Sequence, residues 1–145
     1  MKTILAATFL AGAPLYAWAA DSLITVTSPW VALAPPSVKS HAAYLDIRND
    51  GLAARHLVGV KAEGYGMAHL HHSMEKDGVA MMHSMDQMSL DPGQEVSFAP
   101  GGLHIMLMMP MGPKAEGDMV DLTLIFADGE ELPVVAVVRR PHEGS

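Results

Sequence analysis

Histidine and methionine are concentrated in one part of this chain. The sequence holds 8 histidines and 12 methionines among 145 residues, and five of the histidines and ten of the methionines lie in residues 67–111. Imidazole and thioether groups are both metal ligands, and thioethers favour soft ions. The chain contains no cysteine, which excludes disulfides, iron–sulfur clusters, thiolate zinc sites and the cysteine-containing blue-copper centre. The residue types therefore point to metal binding through nitrogen and thioether sulfur.

A predicted β-hairpin brings part of this cluster onto one face. Asp77 followed by Gly78 is a strong signal for a two-residue hairpin turn. With these two residues as the loop, Ser73 pairs with Met82 and His71 pairs with Ser84. Paired residues share a face, and so do residues two apart on one strand. We therefore expect His71 and Met82 to be diagonal neighbours, about 7–8 Å apart at Cα.

A second predicted strand supplies two more candidate ligands. His104 and Met106 are two residues apart and share a face, whereas the residues that alternate with them are all aliphatic. The aliphatic side is predicted to face the core, so His104 and Met106 should point away from it. Two imidazoles and two thioethers form a soft, neutral donor set that suits Cu(I). The predicted ligands are His71, Met82, His104 and Met106.

The opposite face of the same hairpin carries a second group of similar residues. Its members are His72, Met74, Met81 and His83. They could belong to the core near the hairpin tip, or they could form a second metal site, and the sequence leaves both interpretations open. A slip of one residue in the hairpin register would exchange the two faces, so the assignment depends on the turn.

The elements that position these residues are predicted to be short strands. The 13 glycines and 10 prolines divide the chain into short pieces, in which alternation of apolar residues is more common than a helical period. This pattern predicts one all-β domain, an antiparallel sandwich or barrel. In each predicted strand, the alternating apolar residues are expected to lie on the same face. In chain order they are Ile24, Val26 and Trp30; Ala43, Leu45 and Ile47; Val58 and Val60; Leu103, Ile105, Leu107 and Met109; Val120, Leu122, Leu124 and Phe126; and they are followed by the apolar run 134–138.

Residues 1–19 have the features of a secretory signal peptide. Lys2 gives a positive start, residues 3–12 are small or apolar, and Ala17 and Ala19 form an A-x-A cleavage signal. The apolar run is too short to span a bilayer, and no cysteine follows it to carry a lipid anchor. We therefore expect residues 20–145 to form an exported, soluble domain in the periplasm, without membrane insertion.

The spacing of the four predicted ligands resembles a known family signature. They are separated by ten, twenty-one and one residues, as in the H-x10-M-x21-H-x-M motif of the periplasmic copper-A chaperone (PCuAC) family. The surroundings match as well: Pro29 and Trp30, Ala43 to Ile47 followed by Asn49 to Gly51, Gly101 to Met108, and Leu122 to Phe126.

This resemblance implies a cupredoxin-like Greek-key β-barrel with an exposed Cu(I) site formed by His71, Met82, His104 and Met106. It also implies that the protein delivers copper to the copper-A centre of a respiratory oxidase. Additional histidines and methionines surround the motif and could add capacity or assist handover: His69, His72, Met74 and His83.

A site with these ligands is compatible with three classes of function, namely a copper carrier, a copper buffer and an enzyme. A carrier of one Cu(I) is preferred, with a copper-A-containing oxidase subunit or another copper-handling protein as its partner. A copper buffer that binds more than one Cu(I) is the alternative. An enzyme is disfavoured, because the motifs H-E-x-x-H and G-x-S-x-G are absent and two thioethers bias a copper site to Cu(I). The net charge of −7 argues against nucleic acid as a partner, and we expect a monomer.

Overall fold

The computed structural model describes residues 22–141, and these form ten strands without a helix. The predicted signal peptide, residues 1–19, lies outside the described residues. Within residues 22–141 no helix is long and apolar enough to cross a membrane. The strands are β1 (Ile24–Ala32), β2 (Ser40–Asn49), β3 (Arg55–Ala62), β4 (Tyr65–Lys76), β5 (Val79–Met85), β6 (Met88–Leu90), β7 (Glu95–Ser97), β8 (Leu103–Pro110), β9 (Met119–Phe126) and β10 (Glu131–Arg139).

The ten strands belong to one sheet that surrounds a single core. Their order is β5-β4-β8-β2-β1-β10-β9-β3-β6, and β7 pairs with the second half of β2. The all-β prediction is confirmed. The pairs are antiparallel except for β1 with β10, which run parallel. The predicted antiparallel architecture does not anticipate this one parallel pair.

Alternation of side chains builds the core, as the sequence predicts for β8, β9 and β10. Ile105 and Leu107 on β8 are fully buried. The β9 set Val120, Leu122, Leu124 and Phe126 is at most 2% exposed. The continuous apolar run on β10 buries only every second residue, so Val134, Ala136 and Val138 face the core while the valines between them are exposed. Burial of this apolar surface is the main stabilising contribution to the fold.

Two β-bulges change the predicted faces of β1 and β3. Between Thr27 and Trp30 the pairing of β1 with β2 shifts by one residue, so that Val31 faces the core and Trp30 stacks on Tyr44 instead. The prediction that Trp30 lies on the same face of β1 as Ile24 and Val26 is therefore wrong. A similar shift between Leu57 and Gly59 buries Leu57 and leaves Val58 exposed. An extra residue in one strand reverses the face of all residues after it.

Asn49 ties the end of β2 to two neighbouring segments. Its side chain is fully buried, and its Nδ2 donates hydrogen bonds to the carbonyls of Ala53 at 2.8 Å and Leu90 at 3.0 Å. Its Oδ1 accepts a hydrogen bond from the backbone N–H of Gly51. A buried amide is tolerated because its donors and acceptor are paired. The turn at Asn49 to Gly51 is thus fixed from inside the fold.

A second buried polar contact joins β2 to β4. The Tyr65 hydroxyl and Nδ1 of His41 share a hydrogen bond of 2.8 Å, and both residues are buried. Burial, followed by the positive charge of Lys114, lowers the pKa of His41 below its usual value. Burial raises the pKa of Tyr65 to about 12. His41 is therefore neutral in the folded protein near pH 7.

This lowered pKa predicts a pH-dependent stability. In the unfolded chain His41 gains a proton near pH 6.5, whereas in the folded chain it does so only at lower pH. The free energy of unfolding should therefore fall as the pH drops below about 6.5. The substitution His41→Gln should reduce the difference between urea unfolding at pH 7.5 and at pH 5.5. His56→Gln, at a half-buried position on β3 where Nδ1 contacts the Ser89 hydroxyl, is the matched control and should retain the wild-type difference. An unchanged pH dependence in His41→Gln would contradict this assignment.

Candidate metal centre

The β4–β5 hairpin has the turn and register that the sequence predicts. Asp77 and Gly78 adopt positive φ angles of 54° and 76°, as a type I′ turn requires. Ser73 pairs with Met82 and His71 pairs with Ser84. His71 and Met82 therefore lie on the same face of the hairpin.

The other edge of β4 pairs with β8 and completes the set. His71 lies directly opposite His104, and the centroids of their imidazole rings are 5.6 Å apart. Met106 lies two residues further along β8 on the same face. Three adjacent strands, β5, β4 and β8, thus bring all four predicted ligands to one side of the sheet, opposite the buried pair Leu70 and Ile105.

The four side chains differ strongly in exposure. His104 is only 5% exposed, His71 and Met106 are half-buried, and Met82 is 52% exposed. His104 lies on a strand between β4 and β2, so neighbouring side chains cover it from both sides, whereas Met82 lies on the edge strand β5. The prediction that His104 points away from the aliphatic face is confirmed, but the expected exposure of the whole set is wrong. Of the four side chains, Met82 is the most exposed.

A backbone contact orients the His104 imidazole. Its Nδ1 donates a hydrogen bond of 3.1 Å to the carbonyl of Gly102. Because a carbonyl only accepts, Nδ1 carries the proton, and Nε2 is the nitrogen that can bind a metal ion. A histidine held in this way presents Nε2 as a ligand with a fixed ring orientation.

The His71 imidazole differs from that of His104, because no backbone carbonyl in the described part of the chain orients it. Its Nδ1 is buried and has no hydrogen-bond partner among residues 22–141. Burial, followed by repulsion from His104 and His69, lowers the pKa of His71 below its usual value. The ring is therefore neutral near pH 7 and keeps a lone pair for a metal ion. An unpartnered buried nitrogen is costly in a folded protein, and a bound ion would satisfy it.

His69 is a member of this face that the predicted ligand set omits. It pairs directly with Met106, its ring centroid is 6.5 Å from that of His71, and it is exposed. Because His69 lies two residues before His71 on the same predicted strand, the sequence already indicates that the two side chains share a face. Among residues 22–141, no group of three or more His, Asp or Glu side chains is placed to hold a metal ion without methionine.

The second His/Met group lies on the opposite face of the hairpin. His72 pairs with His83 and Met74 pairs with Met81. The two methionines are 45% and 42% exposed, and His83 is exposed. The interpretation of this group as core near the hairpin tip is therefore wrong for Met74, Met81 and His83, whereas His72 is half-buried.

Solved structures identify the class of fold. The apo PCuAC domain from PmoF1 superimposes with a TM-score of 0.70 and 26% identity, covering 83% of this chain and 96% of that chain. Apo-DR1885 from Deinococcus radiodurans is 31% identical, with a TM-score of 0.65 and 99% of both chains covered. Its Cu(I) form is 27% identical, with a TM-score of 0.66 and coverage of 86% of this chain and 81% of that one. The predicted cupredoxin-like fold of the PCuAC type is confirmed.

Sequence comparisons give the family. The model of the putative lipoprotein LpqE-like family matches residues 24–138. A putative lipoprotein of Leifsonia xyli subsp. xyli (strain CTCB07), Lxx21020, is 31% identical over 117 residues, covering 80% of this chain and 69% of that protein. The uncharacterized protein RP573 of Rickettsia prowazekii (strain Madrid E) is 28% identical over 119 residues, which is 64% of its length. The chain belongs to the LpqE-like family.

The turn that sets the hairpin register can be tested by its backbone conformation. At Gly78, with φ of 76°, an added Cβ would meet no atom within 4 Å, so any effect of substitution comes from the backbone alone. Gly78→Val should destabilise the hairpin by about 1–2 kcal/mol, and hydrogen exchange of the β5 amides should accelerate. Gly78→Asn is the control, because asparagine tolerates positive φ. Equal protection of β5 in both variants would contradict the role of the turn.

Proposed function

We propose that this protein is an exported copper chaperone that binds one Cu(I) through His71, Met82, His104 and Met106. The proposal is carried by the pairing of β5, β4 and β8, which puts these four residues on one face of the sheet, and it is supported by the unpartnered Nδ1 of His71. The family membership and the Cu(I) form of the structural relative DR1885 support copper as the ion.

The donor chemistry favours Cu(I) over other metals. Two neutral imidazoles and two thioethers carry no charge and are soft, whereas Mg²⁺, Ca²⁺ and Mn²⁺ prefer carboxylate and carbonyl oxygens. A monovalent ion also brings less charge into a half-buried site than a divalent one would. A backbone carbonyl already orients the His104 ring, and the lowered pKa of His71 keeps that ring neutral near pH 7, so little reorganisation is needed.

The uneven exposure of the ligands suits a carrier. His104 is held inside the sheet, whereas Met82 lies on an edge strand next to a two-residue turn. An acceptor can therefore approach from the Met82 side and replace the ligands one by one, so that no free ion is released. We propose a copper-A-containing oxidase subunit as the acceptor, or another copper-handling protein.

We further propose that the chain acts in the periplasm as a monomer and is not an enzyme. The names of the family and of its Leifsonia member, putative lipoproteins, support export. Thioether ligands suit an oxidising compartment, in which thiols are converted to disulfides. A copper buffer is the second candidate function, and the observation that favours it is the exposed His/Met group on the other face of the hairpin.

The metal site is tested by replacing its sulfur donors. Met82→Leu together with Met106→Leu roughly conserves volume, so the fold should persist. The Cu(I) affinity of this site should fall at least about 100-fold, since loss of even an outer partner of a ligand costs about 10–100-fold. The measurement is an anaerobic Cu(I) titration against a chromophoric Cu(I) chelator.

The matched control changes two methionines that lie elsewhere. Met111 and Met119 are 77% and 69% exposed and do not lie on β4, β5 or β8. Met111→Leu with Met119→Leu should leave the Cu(I) affinity unchanged. An unchanged affinity in the Met82/Met106 variant would refute the proposed ligand set.

Delivery is a separate prediction. The Cu(I)-loaded protein should transfer its ion to a metal-free copper-A domain of an oxidase subunit without a detectable free-Cu(I) intermediate, so that an added chelator of lower affinity captures no copper during transfer. Transfer only by way of the chelator would favour the buffer instead.

A further inference from the structure

The face of the hairpin that turns away from the proposed centre presents two cross-strand pairs in succession. His72 lies opposite His83, and Met74 lies opposite Met81. Directly opposed residues in an antiparallel pair have Cα atoms about 4.5–5.5 Å apart, and the next pair along the same face is two residues away. Two imidazoles and two thioethers therefore lie close together on this face, with His72 half-buried and the other three side chains exposed.

Packing does not account for this group. On this face the core ends at Leu70, which is 4% exposed, and at its half-buried partner Met85. Beyond that pair Met74 and Met81 are 45% and 42% exposed, so they fill no core cavity. β5 is the last strand of the sheet order, and among residues 22–141 no further strand covers its outer edge.

We propose that His72, Met74, Met81 and His83 form a second site for a soft monovalent metal ion, Cu(I), on the reverse face of the β4–β5 hairpin. The donor set repeats that of the first face, two nitrogens and two sulfurs without a carboxylate, so the same preference for a soft ion applies. The site uses none of the four ligands of the first centre, and it rests on the second candidate function, the copper buffer, to which it assigns the ligands.

The second site is the weaker of the two. Its methionine side chains are exposed, so binding must fix conformations that are free to vary in the metal-free protein. The first site instead has a buried His104 that a backbone carbonyl already orients. Because His71 and His72 are consecutive on β4, and Met82 and His83 are consecutive on β5, the two ions would lie on opposite sides of the same two strands.

An anaerobic Cu(I) titration with methionine methyl NMR tests the second site. The purified protein should take up two equivalents, the first tighter than the second, and the ε-methyl signals of Met74 and Met81 should shift only during the second. Met74→Leu together with Met81→Leu should lose the second equivalent and keep the first. Met111→Leu with Met119→Leu is the control and should keep both.

The outcomes separate this proposal from that of the first centre. In Met82→Leu with Met106→Leu, the weaker equivalent should persist and still shift the Met74 and Met81 signals. A wild-type protein that takes up only one equivalent, with the Met74 and Met81 methyl signals unmoved, would overturn the second site and leave the first intact. A second equivalent that survives in Met74→Leu with Met81→Leu would overturn it as well, since its ligands would then lie elsewhere.

Discussion

The pairing of β4 with both of its neighbours is the constraint on which the functional face depends. Side chains alternate between the two faces of a sheet, so a slip of one residue would replace His71 with Leu70 or His72. Two features hold the register. The Asp77–Gly78 turn fixes β5, and the buried pair of Leu70 and Ile105 fixes β8, because exposing either side chain would cost about 1.5–3 kcal/mol. The position of the candidate ligands is therefore secured by residues outside the proposed ligand set.

The extent to which the sequence predicts this face depends on how local each contact is. The hairpin register follows from a two-residue turn, and the face of His104 follows from its aliphatic neighbours on β8. The pairing of His71 with His104 joins strands far apart in the chain, and no local pattern indicates its register. For the same reason the pairing of His69 with Met106 and the burial of His104 could not be predicted. Both depend on which strands lie beside β8 in the folded sheet.

The wrong predictions for β1 and β3 have one physical origin. Alternation assigns faces only while each residue opposes one partner, and a bulge adds a residue to one strand. At β1 the positive φ of Ser28, 52°, accompanies the shift. Serine at this position gives no clear turn signal, in contrast to the glycine at Gly78. The bulge leaves Trp30 free to stack on Tyr44, and the guanidinium of Arg139 lies 4.3 Å from the Trp30 ring centroid.

The parallel pairing of β1 and β10 gives the domain a polarity. β1 is antiparallel to β2, β2 to β8, and β8 to β4, so β4 runs in the opposite direction to β1. The hairpin turn that follows β4 therefore lies at the end of the sheet where β1 begins. β10 runs with β1 and ends beside Ala32, at the other end. A domain or purification tag fused ahead of Ile24 would therefore start on the same side as the His/Met hairpin. One fused after Arg139 would start at the other end, about 26 Å from Ile24, which is the length of eight residues of extended strand, and level with Met106 rather than with the hairpin turn.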